Sequence, residues 1–418
     1  MSGGKAMKKK IRTILALMLL LICVGAVGFF SAKYSTSLFN QPDSKNIKKV
    51  LATSEENSKE SSNEASSESS QEPGNPVVPD TQGAEMMANL DVPNDGSQYP
   101  ELTQEIENAL NKDTFIGSVL VVKDGKVMLN KGYGFADKSQ NIGNSFQSLF
   151  YIGSVQKSVT AVGIMKLVDE GKLKVDDPVS NFYPNLKGGA GITVRQLLTH
   201  MSGIQGRKKP TVAMTHQQVV EDIVNQTVLK DSGQWHYSND NYSLLAGIIE
   251  QVSGKGYSEF IRDTILAPAG LSHTGFYDTF NSALFHANPY QKANTDLYQL
   301  ASISDASLSQ EFGAGNMYMT PGDLYKFNQA LITGKLVSTE SLAEIQTPGN
   351  SKNGYGFGMY MSNDTKYSHG VLGSYNVLVL TSLDAKDAVI IMANEKPEFD
   401  ILKVAGSIYE AAKKMENS

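Results

Sequence analysis

The sequence predicts an α+β protein in which one antiparallel sheet is assembled from the two ends of a globular region. Near the start of that region, two apolar runs within 118–130 flank Asp124-Gly125, a dipeptide that supplies the positive φ angles of a tight hairpin turn. The middle of the region, roughly 154–345, has mainly helical periodicity with long loops. Near its end, three segments rich in β-branched and aromatic residues predict three further strands, at 354–362, 367–382 and 387–395.

The first 32 residues have the pattern of a membrane anchor. Residues 1–12 include five basic side chains, and residues 13–32 are 20 residues without a charge. A helix of that length is about 30 Å long, which spans the hydrocarbon core of a bilayer. The basic flank is expected to stay in the cytoplasm, so the chain after the anchor is expected outside the cell. A cleaved signal peptide remains the alternative, although its apolar region is usually only about 7–15 residues long.

Residues 33–99 are expected to form a disordered stalk. Within them, 54–72 contain eight serines and six glutamates in 19 residues. Such a segment has too little apolar surface to offset the entropy lost on ordering. The stalk leaves 100–418 as the globular domain, which opens with a predicted helix at 101–112 and closes with an amphipathic helix at 401–415.

Composition excludes several classes of function. The chain of 418 residues has a formal net charge of −6, which disfavours a nucleic-acid binder because phosphate contacts require clustered Lys and Arg. Cys23 is the only cysteine, so an intrachain disulfide framework and a cysteine-rich zinc site are excluded. The six histidines include no HExxH pair. We therefore expect neither a metal nor another cofactor.

The first candidate motif is Ser154-Val-Gln-Lys157, at the start of a predicted helix that Gly171 ends. Residues three apart share one helix face, so Ser154 and Lys157 are expected to point the same way. The first turn also brings a hydroxyl close to unpaired backbone N–H groups, which can stabilise an oxyanion. A catalytic Lys157 would have to be neutral, which requires a lowered pKa. The motif is weak alone, because S-x-x-K also occurs at Ser2–Lys5.

Two further segments carry candidate polar groups. Tyr237-Ser-Asn239 precedes a predicted helix at 241–254; a phenol can relay a proton, and an amide can hold a substrate carbonyl. A core tyrosine and a helix N-cap are the structural alternatives. His369-Gly370 lies in the predicted strand 367–382, where a histidine facing a pocket can transfer a proton. A lone histidine is more often structural.

With their surroundings, these motifs resemble the serine β-lactamase and penicillin-binding protein superfamily, in its class C β-lactamase-like branch. The resemblance extends over about 105–415. LLTHMSGI at 197–204 is similar to that branch's LLTHTSGL signature and is more specific than any three-residue motif. For His200 and Ser202 within it we expect a structural role in the loop. The stretches that carry the resemblance are 151–186, 192–204, 235–254, 313–327 and 367–376.

The resemblance implies a sheet sandwiched by helices beside an all-helical region, with the active site in the cleft between them. It implies that Ser154 is acylated, that Lys157 assists, and that Tyr237 and Asn239 supply the second motif.

In the third motif, the resemblance places His369 at the Lys of the family's K-T-G strand, where esterases and peptidases of the branch often have H-x-G. It implies that His369 and Gly370 line the substrate site. Val371 occupies the usual Gly position, which is a departure from the pattern. The backbone N–H of Leu372 is the expected oxyanion donor.

Three functions remain open. The favoured one is a D-alanyl esterase acting on (lipo)teichoic acid, because a neutral His369 in place of a lysine would not repel the ammonium of a D-alanyl ester. The second is a D-alanyl-D-alanine carboxypeptidase or endopeptidase, or penicillin-binding protein, acting on peptidoglycan, with Arg207 or Lys208 supplying the missing cation. The third is a catalytically silent protein that binds the cell envelope. The anchor and the lack of disulfides favour a Gram-positive surface, with an envelope polymer as the binding partner.

Overall fold

A computed structural model describes residues 90–293, 296–349 and 353–415 of the chain. The predicted basic tail, the membrane anchor and most of the predicted stalk lie outside these residues. None of the helices in the described ranges combines the length and the apolar character that a membrane crossing requires.

The central feature is an antiparallel sheet, six-stranded within the described residues, in the order β12 (Tyr360–Met361), β13 (Thr365–Leu372), β14 (Tyr375–Ser382), β15 (Ala388–Ala393), β1 (Gly117–Lys123) and β2 (Lys126–Tyr133). Its middle joins the chain's two ends, because Val119 of β1 pairs with Ile391 of β15. The prediction of an α+β fold with a sheet built from both ends is confirmed. In chain order the strands are β1 (Gly117–Lys123), β2 (Lys126–Tyr133), β3 (Phe135–Asp137), β4 (Ile142–Gly143), β5 (Phe150–Tyr151), β6 (Ile204–Gln205), β7 (Val228–Leu229), β8 (Thr274–Phe276), β9 (Tyr290–Ala293), β10 (Asp296–Leu300), β11 (Met317–Met319), β12 (Tyr360–Met361), β13 (Thr365–Leu372), β14 (Tyr375–Ser382) and β15 (Ala388–Ala393).

Helices cover both faces of this sheet. Because strand side chains alternate between faces, Val119 and Ile391 pack against the first and last helices, α1 (Pro100–Leu110) and α12 (Ile401–Lys414). Leu120 and Ile390 join the core on the other face. In chain order the helices are α1 (Pro100–Leu110), α2 (Gln156–Asp169), α3 (Val194–Leu198), α4 (His216–Gln226), α5 (Asn239–Ser253), α6 (Tyr257–Ile261), α7 (Ala267–Ala269), α8 (Tyr277–Phe280), α9 (Asp305–Ser309), α10 (Pro321–Ile332), α11 (Thr339–Gln346) and α12 (Ile401–Lys414).

Helix α2 joins the two halves of the core. It is buried from Gln156 to Met165, since it packs against α5 while the turn before it, Gly153–Val155, packs on β13 and β14. From Val159 to Val168 the sequence of α2 is apolar except for Thr160 and Lys166, as a helix buried on most of its faces requires. The fold therefore holds the start of α2 against a sheet strand, and Ser154 lies at that point.

Two predicted strands differ from the structure. The segment predicted as a strand at 354–362 is extended only at β12, because Gly354 and Gly358 have φ angles of +69° and +80°, which a strand cannot continue through. The segment 367–382 is a hairpin instead of one strand, and the chain reverses at Gly373, whose φ is +58°.

The domain begins earlier than predicted. Leu90 is 2% exposed, and its carbonyl accepts a hydrogen bond from Asn130 Nδ2 at 3.1 Å. Asn94 forms a β-bridge with Asn130, and Asp91 pairs with Lys326 at 3.0 Å. Residues 90–99, which the sequence assigned to the stalk, are therefore packed on the domain. A buried leucine and a reciprocal backbone bridge stabilise this segment despite its polar composition.

Candidate active site

Ser154 lies in a short 3₁₀ turn, Gly153–Val155, that leads directly into α2. The first N–H groups of such a turn have no partner within the helix, so the Ser154 N–H is available to a ligand. Ser154 is partly exposed, whereas Lys157 one turn later is buried. As the spacing predicted, the two side chains point the same way, and 2.9 Å separates Lys157 Nζ from Ser154 Oγ.

Lys157 has the environment of a neutral amine. Burial lowers its pKa to about 7; the charge of Lys209 also lowers it, while that of Glu311 raises it. Its Nζ donates a hydrogen bond to the Ala314 carbonyl at 3.0 Å, which fixes the amine beside Ser154. A neutral amine held in this way keeps a lone pair that can accept the hydroxyl proton of Ser154.

Tyr237 is the second group that contacts the Ser154 hydroxyl. Its phenol donates a hydrogen bond to Ser154 Oγ at 2.8 Å, and its ring centre lies 5.0 Å from Lys157 Nζ. Burial raises the pKa of Tyr237 well above its usual value, so the phenol keeps its proton at neutral pH. The structure therefore brings together the hydroxyl of Ser154, the amine of Lys157 and the phenol of Tyr237.

His200 holds the Tyr237 ring in place. Its imidazole packs on that ring with centroids 4.2 Å apart. Its Nδ1 lies 3.3 Å from the Ser238 N–H and 3.0 Å from Asn241 Nδ2, both of them donors, so the ring's own hydrogen is on Nε2. Burial lowers the pKa of His200 well below its usual value. Ser202 extends the network by donating to Asn241 Oδ1 at 2.6 Å. The LLTHMSGI loop thus orients the second motif.

Asn239 is the first residue of α5, and the N-cap is Ser238. Its Nδ2 donates to Glu311 Oε2 at 2.8 Å, while Glu311 Oε1 accepts an ion-paired hydrogen bond from Lys209 Nζ at 2.7 Å. Sequence reasoning did not single out Glu311 or Lys209. The contact between residues 239 and 311 spans 72 positions, and no local pattern marks it.

Gly370 is the residue of β13 that lies against the turn carrying Ser154. A Cβ added there would be 2.0 Å from the Ile152 carbonyl oxygen and 2.7 Å from the Ser154 nitrogen. Ser368, two residues earlier and therefore on the same face, lies 3.1 Å from Ser158 Oγ of α2. Only a residue without a side chain allows this approach. The glycine that the third motif requires is thus Gly370, although the family resemblance placed the usual glycine of that motif at Val371.

His369 points to the opposite face of β13 from Gly370 and Ser154. Its Nε2 lies 2.7 Å from Asn376 Oδ1, an acceptor, so Nε2 carries the ring's hydrogen. Burial lowers the pKa of His369, and the hydrogen bond to Asn376 only partly offsets this. The geometry excludes proton transfer between His369 and Ser154, because the two lie on different sides of the strand. The neutral state expected for this histidine agrees with its surroundings.

The backbone donor opposite Ser154 is Val371 rather than Leu372. Two residues join β13 to β14, and a φ of +58° at Gly373 fits a type II′ turn. The closing pair of such a hairpin, Leu372 and Tyr375, exchanges its backbone hydrogen bonds, so the Leu372 N–H points to β14. The Val371 N–H then points to the other edge, where a Cβ on Gly153 would lie 2.7 Å from its nitrogen.

Comparisons with known proteins agree with this geometry. The Beta-lactamase family model matches residues 103–413. The chain is 38% identical to a putative penicillin-binding protein, PbpX, of Bacillus subtilis, over 73% of this chain and 78% of that one. It is 30% identical to the teichoic acid D-alanine hydrolase of Staphylococcus aureus, over 72% and 74%.

A crystal structure of FmtA from Staphylococcus aureus superposes with a TM-score of 0.68 at 27% identity. The superposition covers 80% of this chain and 96% of that one. The family match covers most of the chain and includes Ser154, Lys157 and Tyr237. The chain therefore belongs to the Beta-lactamase family and is a hydrolase of that family.

Proposed function

We propose that the protein is a serine esterase that removes D-alanyl groups from (lipo)teichoic acid. The observation that carries this proposal is the position of Ser154 Oγ, within hydrogen-bonding distance of both Lys157 Nζ and Tyr237 OH. The Val371 nitrogen lies against the turn that carries Ser154, and the N–H groups of these two residues are the proposed oxyanion donors. A nucleophile, a base, a proton donor and two oxyanion donors are the groups that acyl transfer from an ester requires.

The reaction then has two steps. Neutral Lys157 takes the Ser154 proton as Oγ attacks the ester carbonyl, and the two N–H groups stabilise the oxyanion. The polymer alkoxide leaves with a proton from the Tyr237 phenol, which the Lys157 ammonium replaces. Water next attacks the D-alanyl-Ser154 ester, one of its protons returns to Ser154 Oγ, and D-alanine is released. Lysine and tyrosine end in the protonation states in which they began.

The charges near the site favour an ester over a peptide that ends in a free carboxylate. Such a peptide benefits from a fixed cation, and the sequence offered Arg207 or Lys208 for that role. The Arg207 guanidinium is fully buried, and it binds Asp222 at 2.6 Å, Asp240 at 2.9 Å and the Gln310 side chain. Arg207 is therefore committed to the protein's own groups.

Two other lysines, Lys366 and Lys209, are also unsuited to binding a substrate carboxylate. Lys366 of β13 is 2% exposed and borders a small internal cavity with Ser158 and Ser368. Lys209 is paired with Glu311, so a carboxylate approaching it also meets an anion. This arrangement tolerates an ammonium better than a carboxylate.

The relatives support the same choice. One that is 30% identical over 72% of this chain is a teichoic acid D-alanine hydrolase, and FmtA has the same fold along 96% of its length. PbpX, the more similar sequence, is described as a putative penicillin-binding protein, which keeps a peptidoglycan peptidase as the second candidate.

The proposed place of action is the outer face of the cell membrane. The charge-free segment 13–32 behind a basic flank of residues 1–12 supports a single-pass anchor with the hydrolase domain outside. Teichoic acid in that location would be the polymer partner, and the segment between the anchor and residue 90 would tether the domain.

The test is release of D-alanine by the purified full-length chain from D-alanylated lipoteichoic acid, with a pentapeptide ending in D-alanyl-D-alanine as the second substrate. We expect release from the polymer, at least 10³-fold slower with Ser154→Ala because acyl transfer loses its nucleophile. Release from the pentapeptide alone would favour the peptidase. No release from either substrate by folded protein would favour an envelope-binding protein without catalysis.

A further inference from the structure

Glu311 places a carboxylate beside the catalytic groups, where the reaction itself does not require one. Its Oε2 accepts from Asn239 Nδ2 at 2.8 Å, and its Oε1 from Lys209 Nζ at 2.7 Å. Removing a carboxylate from water is costly unless charged or polar partners compensate it. A largely buried carboxylate at the site, already paired with an ammonium, therefore needs an explanation.

The carboxylate and the nucleophile turn border the same small space. A Cβ on Gly315 would lie 3.2 Å from Glu311 Oε2 and 3.3 Å from the carbonyl carbon of Gly153, the residue before Ser154. Burial lowers the pKa of Lys157, and the charge of Glu311 acts in the opposite direction and raises it. An anion therefore lies close to the turn that carries Ser154.

The two ends of the Lys209–Glu311 pair differ in exposure. The Glu311 side chain is 15% exposed, whereas that of Lys209 is 43% exposed. Asn239 fixes the carboxylate from inside, while the lysine reaches it from the solvent side. An exposed lysine contributes little to stability through such a pair, about 0–1 kcal/mol, so it leaves at low cost.

We infer that Glu311 recognises the α-ammonium of the D-alanyl group, and that Lys209 occupies the ammonium position until the substrate displaces it. The inference rests on the proposed esterase function and names the chemical class of its substrate, an ester of an α-amino acid with a free amine. The exchange replaces the Lys209 ammonium at the carboxylate with the α-ammonium of the substrate, so the negative charge of Glu311 has a positive partner before and after substrate binding. A substrate bearing a carboxylate at that place would be repelled.

The test compares two small esters that differ only at this position. D-alanine methyl ester carries the ammonium, and methyl isobutyrate has a methyl group of similar size in its place. For Glu311→Gln, we expect kcat/KM to fall about 10- to 100-fold more for D-alanine methyl ester than for methyl isobutyrate, since hydrogen bonds to charged groups contribute roughly 1.5–3 kcal/mol. The ratio of the two substrates cancels effects on Ser154 and Lys157 that both esters share.

Lys209→Met tests the displacement. We expect it to lower KM for D-alanine methyl ester relative to methyl isobutyrate, because the competing ammonium is gone. Lys208→Met is the matched control: it makes the same change of charge at the neighbouring exposed lysine, and we expect no change in the substrate ratio.

The outcomes separate this inference from the proposed function. If the wild type hydrolyses D-alanine methyl ester and Glu311→Gln leaves the substrate ratio unchanged, the ammonium site is wrong and the esterase stands. If the wild type hydrolyses methyl isobutyrate but neither D-alanine methyl ester nor D-alanylated lipoteichoic acid, both fail. An unchanged ratio in Lys209→Met, with the expected loss in Glu311→Gln, would overturn the displacement by Lys209.

Discussion

Substituting Gly370 by alanine tests the contact between β13 and the nucleophile turn. The added Cβ would lie 2.0 Å from the Ile152 carbonyl oxygen and 2.7 Å from the Ser154 nitrogen. Ordinary contacts of a Cβ begin at 3.4 Å, so the strand and the turn would have to separate by more than about 1 Å. Both opposing atoms belong to the backbone and cannot rotate away.

The expected effects follow from that displacement. Overpacking of this kind costs about 1–3 kcal/mol in the free energy of unfolding. The same movement widens the gap between the N–H groups of Ser154 and Val371, and a shift of about 1 Å at a reacting centre lowers activity roughly 10²-fold. Gly370→Ala should therefore lose much more activity than its loss of stability would explain.

The assay combines urea unfolding with initial rates on p-nitrophenyl acetate, which reports Ser154 acylation without a D-alanyl group. Gly406→Ala is the matched control, because Gly406 lies inside α12 and an added Cβ meets nothing within 4 Å. The control should gain about 0.5–1 kcal/mol of stability and keep its rate. A Gly370→Ala variant with wild-type rate and stability would refute the assigned position of β13.

Three other predictions test the site and its surroundings. Lys157 must be neutral to act as a base, and burial lowers its pKa to about 7. We therefore expect kcat/KM to rise with pH through an apparent pKa of about 7. A flat profile of kcat/KM from pH 5 to 9 would contradict the role of Lys157 as a base. Val371→Pro removes the backbone N–H that points away from β14, so it should slow p-nitrophenyl acetate hydrolysis about 10²–10³-fold. Val371→Ala keeps that N–H and should change the rate little. Equal rates in the two variants would exclude the Val371 N–H as an oxyanion donor. In urea unfolding, Arg207→Met should lower the free energy of unfolding by about 3–5 kcal/mol, because it leaves the largely buried Asp222 and Asp240 carboxylates without their partner. Arg195→Met, at a partly exposed ion pair, should lower it by at most about 1 kcal/mol. Similar losses in the two variants would contradict the buried network.

The sequence was most informative where the chemistry depends on local spacing. Ser154 and Lys157 are three residues apart at a helix start, so their shared direction follows from helix geometry alone. The hairpin at Asp124-Gly125 and the apolar runs at both ends likewise carry local signals, which is why the central sheet could be predicted.

Contacts between distant segments could not be predicted in the same way. Which residue of the third motif faces Ser154 depends on the strand register, and a shift of one residue exchanges the faces of Gly370 and Val371. The turn at Gly373 sets that register, but the sequence pattern predicted one continuous strand at 367–382 and no turn there. The pairing of Glu311 with Lys209 and Asn239 joins three segments through tertiary packing, so no spacing along the chain reveals it.

The central claim is that Ser154 carries the D-alanyl group between the polymer and water. Its most direct test is mass spectrometry of the full chain, quenched in acid during turnover of D-alanylated lipoteichoic acid, followed by peptide mapping. We predict one alanyl adduct on the peptide that contains Ser154, and neither adduct nor D-alanine release in Ser154→Ala. An adduct on another residue, or D-alanine release that persists in Ser154→Ala, would contradict the mechanism.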